Sequence, residues 1–515
     1  MKIKTLEEYI EMLRKEDLLV SSEGIDTGAL AGAGSEVQIK DVSYNSILCG
    51  EGTLFICKGA NFKEQYLKDA LENGAVAYVC TPDFAEREQF GSVPRIVVSD
   101  MRKAISRISA LYFDRSWDKT LKLVGLTGTK GKSTTATMLK SILDIHRGRE
   151  IGFSSGIYTY DGEHREKARK LTTPETIELH RILDGCVRND CGYLVMEVSS
   201  QALKYDRTLD LNFEVCGFLN ISEDHISAAE HKDMEDYFTS KLKIFRQSRI
   251  ACVNVDMDPA YLGRVLETAQ SECEKVVTFG FGQDAAVRGL RVEEVPGKII
   301  IEAAFDADGK TCRERFTVNI GGAYNASNAL MAIAAALELG VPVDTIRQGL
   351  EQVKVAGRME LYTIPKKSVD IIVDCAHNKM SYEALFDYVH HHYPDRKVGF
   401  LFGCVGDKAF NRRKEAGEIA DKNADFIVIT ERDPGKEDVN KICNEILENI
   451  EHKEKARIIT DRDRAVRTAL ETAEELGNCV VILAGCGSDA YVKRGTSFVE
   501  FATDGERVQE YLQGR

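Results

Sequence analysis

The sequence is short of several things, and each shortage excludes a class. Proline accounts for only 9 of 515 residues, and with 43% hydrophobic and 29% charged residues no tract has biased composition, which rules out a long disordered or low-complexity chain. No CxxC pair of zinc-ligand spacing occurs among the 14 cysteines, which are scattered from Cys49 to Cys486; they read as reduced, mostly buried thiols of a cytoplasmic protein. No uninterrupted apolar run opens the chain: "MKIKTLEEYIEMLRKEDLLV" carries charges throughout, so neither a secretory leader nor a membrane span is expected there. Leu6, Ile10 and Leu13 fall instead on one face of a predicted surface helix. Positive charge is also in deficit, with 68 Lys and Arg against 82 Asp and Glu, a net charge of −14. That balance excludes non-specific binding to nucleic acid or an acidic membrane, so an anionic substrate must be met by a local basic cluster.

What is there is α/β patterning, in a chain longer than one core usually serves. From Val37 to Val79 short strands broken by glycine precede a helical stretch, "FKEQYLKDALENGAVAYV", that ends at Gly74. A charged segment, "DRSWDKT", marks a first boundary. From Leu121 to about Val355 apolar strands such as "GYLVMEV" and "VCGFLNI" alternate with helices, the signature of a wound parallel sheet. A third block repeats the alternation in "VDIIVDCA", "KVGFLFGC", "DFIVIT" and "CVVILAGC". The reading is three domains, residues 1–116, 117–355 and 356–515, the last with a Rossmann-like sheet.

"GLTGTKGKSTTATML" follows the strand "LKLVGL" and opens a helix. Glycines at a strand-to-helix turn leave backbone N–H groups facing one concavity, and the helix dipole adds to it, so phosphate binds there. Against G-x-x-x-x-G-K-[ST] the first glycine is replaced by Leu126, while Gly128, Gly131, Lys132 and Ser133 are in place. Lys132 is expected at the outer phosphates of ATP or GTP, and Ser133 at magnesium.

The compact form Gly-Thr-x-Gly-Lys-Ser-Thr, Gly128 to Thr134, resembles the Mur ligases and their folylpolyglutamate synthetase relatives, which join a carboxylate to an amine at the expense of ATP. "LTTPET", "MEVSSQAL", "FLNISEDHI", "GGAYNASNAL", "VAGRMELY", "DCAHN", "FGCVGDK" and "AGCGSDAY" continue the resemblance to MurE-type enzymes in order along almost the whole chain. The resemblance implies a central P-loop ATPase-like domain, an N-terminal α/β domain for the uridine nucleotide and a C-terminal domain for the incoming amino acid.

It implies further that ATP meets Gly128, Thr129, Lys130, Gly131, Lys132, Ser133 and Thr134, with Asn325 and Asn328 at the adenine and Arg358, Asp374, His377 and Asn378 closing over it from the third domain. Taken alone, Asn325 also reads as a helix cap. Two Mg²⁺ ions would be held by Ser133, Glu197, His225 and Lys241, the last carried as a carbamate formed with CO₂ (N6-carboxylysine). Taken alone, Lys241 reads as a surface lysine, and Lys243 competes for the role. Asn45, Ser46, Thr172, Thr173, Ser199, Tyr205 and Arg207 would contact UDP-N-acetylmuramoyl-L-alanyl-D-glutamate. Departures occur at Ile47, where the family has arginine, at Gln201 in place of histidine and at Tyr205 in place of glutamine.

In diaminopimelate-adding members the amine-selecting loop is Asp-Asn-Pro-Arg; here it is Arg432-Asp433-Pro434-Gly435. Lys408 stands for an arginine expected at the incoming α-carboxylate, while Gly485 and Asp489 complete the pocket, Asp489 in place of glutamate. A distal amine would be held by Asp489 and a distal carboxylate by Arg432 if it turns inward; otherwise Arg432 is a solvated loop charge. Diaminopimelate, lysine and another amino acid all stay open. So do a paralogue acting on a different carboxylate and a nucleotide-dependent binding protein that has lost ligation. The chain is expected to act as a cytoplasmic monomer on small molecules, with no nucleic-acid partner and no membrane insertion.

Overall fold

The computed structural model describes residues 3–24, 37–59, 62–85, 93–168, 171–223, 226, 230–307 and 309–514. The first helix, Leu6–Lys15, starts at a capping box in which Thr5 and Glu8 each accept from the other's backbone N–H, and it buries Leu6, Tyr9, Ile10 and Leu13, the face expected from the spacing. It lies over a five-stranded sheet in the order Leu19–Glu23, Arg95–Val98, Ala75–Cys80, Thr53–Ile56, Asp41–Ser43, parallel except for the first pair.

The second sheet has eleven strands. Seven are parallel, from Gly152–Ser154 to Val287–Val295, and Lys122–Thr127 lies between Tyr193–Glu197 and Phe213–Phe218. Both edges turn antiparallel, one through Tyr158–Tyr160 and Arg165–Lys167, the other through the long ladder Val287–Val295, Lys298–Ala307, Lys310–Val318. The helix Asn325–Glu338, "NASNALMAIAAALE", is buried at eleven of its residues. Its alanines let it approach both the sheet and the helix Lys132–Arg147, with no long side chain to hold the elements apart. Trp117, the single tryptophan, is fully buried at the base of this domain, with its ring 4.8 Å from that of His180.

The third sheet has six strands, in the order Glu360–Ile364, Val369–Asp374, Cys479–Ala484, Lys397–Phe402, Phe426–Ile429, Ala456–Ile458, with only the first antiparallel. Charged and aromatic side chains join the domains. Arg107 and Arg115 both pair with the buried Asp210, and the Arg102 guanidinium lies 3.6 Å over the ring of Tyr205. The Tyr388 hydroxyl, on helix Lys379–His392, accepts from the Gly297 amide at 2.8 Å. Among the described residues no helix is long and apolar enough to cross a membrane.

Candidate active site

Glu197 pairs with Leu126 and Phe218 with Thr127, so the turns after three neighbouring strands leave the sheet at one level. That level, at the strands' carboxyl ends, is where open α/β sheets bind ligands. The central turn is Gly128–Gly131. Gly128 and Gly131 have φ of +152° and +86°, and a Cβ on Gly131 would meet Asn328 Oδ1 at 2.3 Å, so only glycine fits. Gly131 is the N-cap of helix Lys132–Arg147, and no side chain caps it, which leaves the first-turn N–H groups for a ligand.

The loop's back is tied down. Asn220, at the end of the strand Phe213–Phe218, accepts through Oδ1 from Thr129 N at 3.0 Å and Lys130 N at 2.9 Å. The Tyr237 hydroxyl reaches Thr129 Oγ1 at 3.1 Å. Lys132 Nζ donates to Gly128 O at 2.8 Å and Thr129 O at 3.2 Å. Lys241, on helix Met234–Leu242, donates to the same Gly128 O at 3.0 Å and lies 4.6 Å from the Tyr237 ring centre. At 1% exposure it is not the surface lysine that its sequence context suggests. Lys243 instead donates to Leu203 O, away from the loop. Ser133 and Thr134 sit in the first turn of the helix.

Glu197 ends its strand 2% exposed, and its Oε1 accepts from Gly156 N at 2.8 Å. The same Gly156 brings Thr172 close: a Cβ there would be 3.8 Å from both Glu197 Oε1 and Thr172 Oγ1. Thr173 donates to Glu197 O at 2.9 Å and accepts from Ser199 N at 2.9 Å. Arg207 reaches Thr173 O at 3.4 Å and pairs with Glu175 at 2.6 Å, while Lys58 of the first domain pairs with Glu175 from the other side. Thr172, Thr173, Ser199, Arg207 and Glu197 thus form one patch. Asn45 and Ser46 lie on the first domain, where Asn45 Oδ1 caps the short helix Ser46–Leu48. Tyr205 is held beneath Arg102. His225 lies outside the described residues.

Asn325 is the first residue of its helix and does not cap it; its amide donates to Gly321 O at 2.7 Å. Asn328 donates to Asn325 Oδ1 at 3.0 Å and accepts from Thr135 at 3.3 Å, so both amides stand beside the phosphate loop. From the third domain, Asp374 ends its strand and accepts from Met359 N at 2.8 Å and Ala376 N at 2.7 Å. Burial raises its pKa, and Arg358 works against the rise. Cys375, Asp374, Glu197 and Asp489 around Arg358 keep its guanidinium charged. His377 Nδ1 donates to Cys375 O at 2.8 Å; burial and then the nearby cations Arg432, Lys130 and Arg412 push its pKa down to about 3, so it is neutral at pH 7. Asn378 caps helix Lys379–His392 through Ser381 N, a structural use of that side chain.

Lys408 is exposed in the loop after Lys397–Phe402. Arg432, Asp433, Pro434 and Gly435 follow Phe426–Ile429, with Asp433 and Gly435 at φ of +42° and +60°. Gly485 follows Cys479–Ala484 at φ +104°, and a Cβ there would meet Arg432 Cδ at 3.0 Å, so the two loops touch. Asn220, Tyr237 and Gly156 were not singled out from the sequence. Asn220 stands in "FLNISEDHI", where its strand-end position was the available signal.

Residues 126–336 match the Mur ligase middle domain and residues 357–487 the Mur ligase, glutamate ligase domain. The chain is 36% identical over 489 residues to the UDP-N-acetylmuramoyl-L-alanyl-D-glutamate--L-lysine ligase of Enterococcus faecalis, covering 94% of each chain. The chain belongs to the Mur ligase family. It is also 33% identical over 514 residues to the UDP-N-acetylmuramyl-tripeptide synthetase of Lactococcus lactis, covering 98% of this ligase and 99% of that one. Its three-domain fold is that of a solved UDP-N-acetylmuramoyl-L-alanyl-D-glutamate--2,6-diaminopimelate ligase, at TM-score 0.63 and 19% identity over 92% of this chain and 95% of that one. A Mycobacterium tuberculosis folylpolyglutamate synthase complexed with ADP superimposes at TM-score 0.59 and 16% identity, over 80% and 94% of the two chains. As a member of this family, the chain is an ATP-dependent ligase.

Proposed function

We propose that this Mur ligase joins an amino acid to the D-glutamyl side-chain carboxylate of UDP-N-acetylmuramoyl-L-alanyl-D-glutamate, forming ADP and phosphate. The observation that carries the reading is the single level at which the phosphate loop, Glu197 and the Thr173–Ser199–Arg207 patch emerge from neighbouring strands. A triphosphate in the loop and a carboxylate on the patch would lie side by side. On this reading residues 1–116 take the nucleotide precursor in the cleft with residues 117–355, and residues 356–515 bring the amine.

The carboxylate attacks the γ-phosphorus of ATP, and ADP leaves. The amine nitrogen then attacks the acyl phosphate carbon, loses a proton, and phosphate leaves with the C–O bond pair. Lys132 offsets charge on the transferring oxygens, and the uncapped first turn of its helix holds the outer phosphates. Arg207 orients the precursor's anionic groups, held in place by Glu175. Tyr205, Asn45 and Ser46 line the same precursor's path. Asn325 and Asn328 offer amides to the adenine, and Arg358, Asp374, His377 and Asn378 approach from the third domain, excluding water from a hydrolysable intermediate.

Magnesium fits the site. Among the described residues no three His, Cys, Asp or Glu side chains cluster, so the ion would rest on Glu197, Ser133 and phosphate oxygens, as a hard cation commonly does with nucleotides. Bound there it would neutralise phosphate charge. Two ammonium groups, Lys132 and Lys241, share one carbonyl. Addition of CO₂ to Lys241 Nζ, with loss of a proton, turns the second into an anion and relieves that repulsion, which supports the carbamate; a ¹³C carbamate resonance after exposure to ¹³C-bicarbonate tests it. His225 is assigned to the second ion by resemblance.

The test of the reaction is a product assay with UDP-muramoyl-dipeptide, ATP and a panel of amino acids. Amine-dependent release of ADP with formation of a tripeptide is expected; ATP turnover without any joined product would overturn the reading. We place the enzyme in the cytoplasm as a monomer, in keeping with its 14 free thiols, and light scattering checks the latter.

A further inference from the structure

Two neighbouring serines follow Glu197, and they are used differently. Ser199 belongs to the precursor patch: its N–H donates to Thr173 Oγ1, and its hydroxyl accepts from Ala202 N at 3.1 Å, capping the short helix Ser200–Lys204. Ser200, 5% exposed, meets His231 instead, with its Oγ 2.9 Å from Nε2. The His231 side chain is fully buried, and no step of the reaction described above uses it.

His231 stands just ahead of helix Met234–Leu242, and its other ring nitrogen, Nδ1, lies 3.4 Å from Asp236 Oδ2 in that helix. A lone pair on Nδ1 would face the carboxylate, so the proton belongs there, and Nε2 is left to accept from the Ser200 hydroxyl. Burial lowers the pKa of the ring; Asp236 opposes that, while Lys204 and Lys241 add to it, so the ring is neutral at pH 7. Lys204, the last residue of the short helix, closes the circuit: it pairs with Asp236 at 2.5 Å and donates to Glu230 O at 3.0 Å. Both ends of helix Ser200–Lys204 are therefore fastened to one segment, residues 230–236.

Helix Met234–Leu242 is in turn fastened to the phosphate loop. Tyr237, whose ring centre is 5.2 Å from that of His231, reaches Thr129 with its hydroxyl, and Lys241 donates to Gly128 O. The turn after Glu197 and the loop for the triphosphate are thus joined by side chains as well as by the sheet, through His231 and the helix that follows it. Ser200, His231 and Asp236 are the residue types of a hydrolytic triad, but the depth of Ser200 and His231 keeps an ester from the hydroxyl, so the contact transmits position and not an acyl group.

We propose that His231 is a positioning residue for phosphoryl transfer: through Ser200 and Asp236 it fixes the Glu197–Ser200 turn, beside which the substrate carboxylate rests, against the helix tied to the phosphate loop, and so sets the line of attack on the γ-phosphorus. The proposal rests on the ligase reading above. Without the contact each substrate still binds to its own loop, but the distance between them is no longer held, and a misplacement of about 1 Å can cost on the order of 100-fold in rate. The loss therefore falls on kcat.

The full-length chain is assayed with UDP-muramoyl-dipeptide, ATP and the amino acid that wild type joins fastest. His231→Phe, which removes both ring nitrogens, and Ser200→Ala should each lower kcat about 30-fold while the KM values for ATP and the dipeptide precursor stay within about 3-fold. The double variant should lose no more than either single one, because both remove the same contact. His231→Gln, whose amide oxygen can accept from the Ser200 hydroxyl, should recover kcat to within about 5-fold of wild type. A kcat for Ser200→Ala within about 2-fold of wild type, with the fold intact by circular dichroism, overturns the proposal. So do losses confined to KM, losses that multiply in the double variant, or a His231→Gln enzyme no better than His231→Phe. Ser200→Ala removes a single oxygen, so that arm is read even where His231→Phe does not fold. No product from wild type with any amine fails the ligase reading and the proposal with it, whereas an active wild type matched by its variants fails the proposal alone.

Discussion

The phosphate loop and the amine-side loop are built alike and finished differently. Each leaves a parallel strand's carboxyl end and turns through glycine at positive φ: Gly128 and Gly131 in one, Gly435 in the other. In the first, the side chains are matched within the protein: Asn220 takes two loop amides, and Lys132 and Lys241 settle on Gly128 O. In the second, the frame is matched through Arg462 and Asp504, but among the described residues Arg432 Nε is not. A site for a substrate common to a family can be shaped by backbone and self-satisfied at rest. The third-domain loop instead holds a rigid frame around a charge with no carboxylate partner among the described residues.

Changes on either side would break or sharpen that contrast. The largest effect is expected from Lys132→Ala, which should lower ADP formation by about 10³-fold or more with the fold intact by circular dichroism, since a charge aimed at the transferring oxygens is lost. Activity within 10-fold of wild type would show that the phosphate side does not depend on that charge. Next is Asp504→Asn, which leaves Arg462 fully buried without its counter-ion and should destabilise by roughly 3–5 kcal/mol in urea unfolding. If it costs less than about 1 kcal/mol, the pair does not hold the amine side's frame. Asn220→Ala removes the acceptor for two loop amides and should weaken ATP binding about 10-fold, roughly 1–2 kcal/mol, with little change in the amino-acid KM.

At neutral pH the smallest effect, which grows only in acid, isolates the phosphate side's own stability. His180, sandwiched against Trp117 with neither ring nitrogen bonded, has its pKa pushed by burial, and then by Arg115, from 6.5 down to about 3. The unfolded chain therefore binds the extra proton first. Stability from this group is complete above pH 6.5 and falls as pH drops toward 3, by about 2 kcal/mol on reaching pH 5. His180→Leu should flatten that slope; an unchanged acid profile would show that the histidine is not buried neutral.

Much of this was legible in the sequence, for physical reasons that differ between the two loops. Gly128 and Gly131 could be read because the backbone geometry admits no other residue, and Glu197 because an apolar run ends at it. Lys241 could not: its neighbours in "DYFTSKLKIF" give no sign that helix Met234–Leu242 turns it inward to the loop, since that depends on tertiary packing. Asn325 invited a capping role that Tyr324's position takes instead. Arg432 was readable as a departure but not as an unpaired charge, because the partners that occupy Glu431 and Asp433 come from Arg494 and Lys493, some sixty residues on.

The contact between Tyr388 and Gly297 has a mechanical consequence. Helix Lys379–His392 begins at Asn378, beside His377, and touches the hairpin of the central domain ten residues later. With the hairpin as fulcrum, the helix is a lever about 15 Å long, so a swing of roughly 10° carries its tip by about 3 Å. That is the width of one hydrogen bond, enough to engage or release a nucleotide when the third domain, whose core holds this helix through Tyr382, Leu385 and Phe386, turns as one piece against the second.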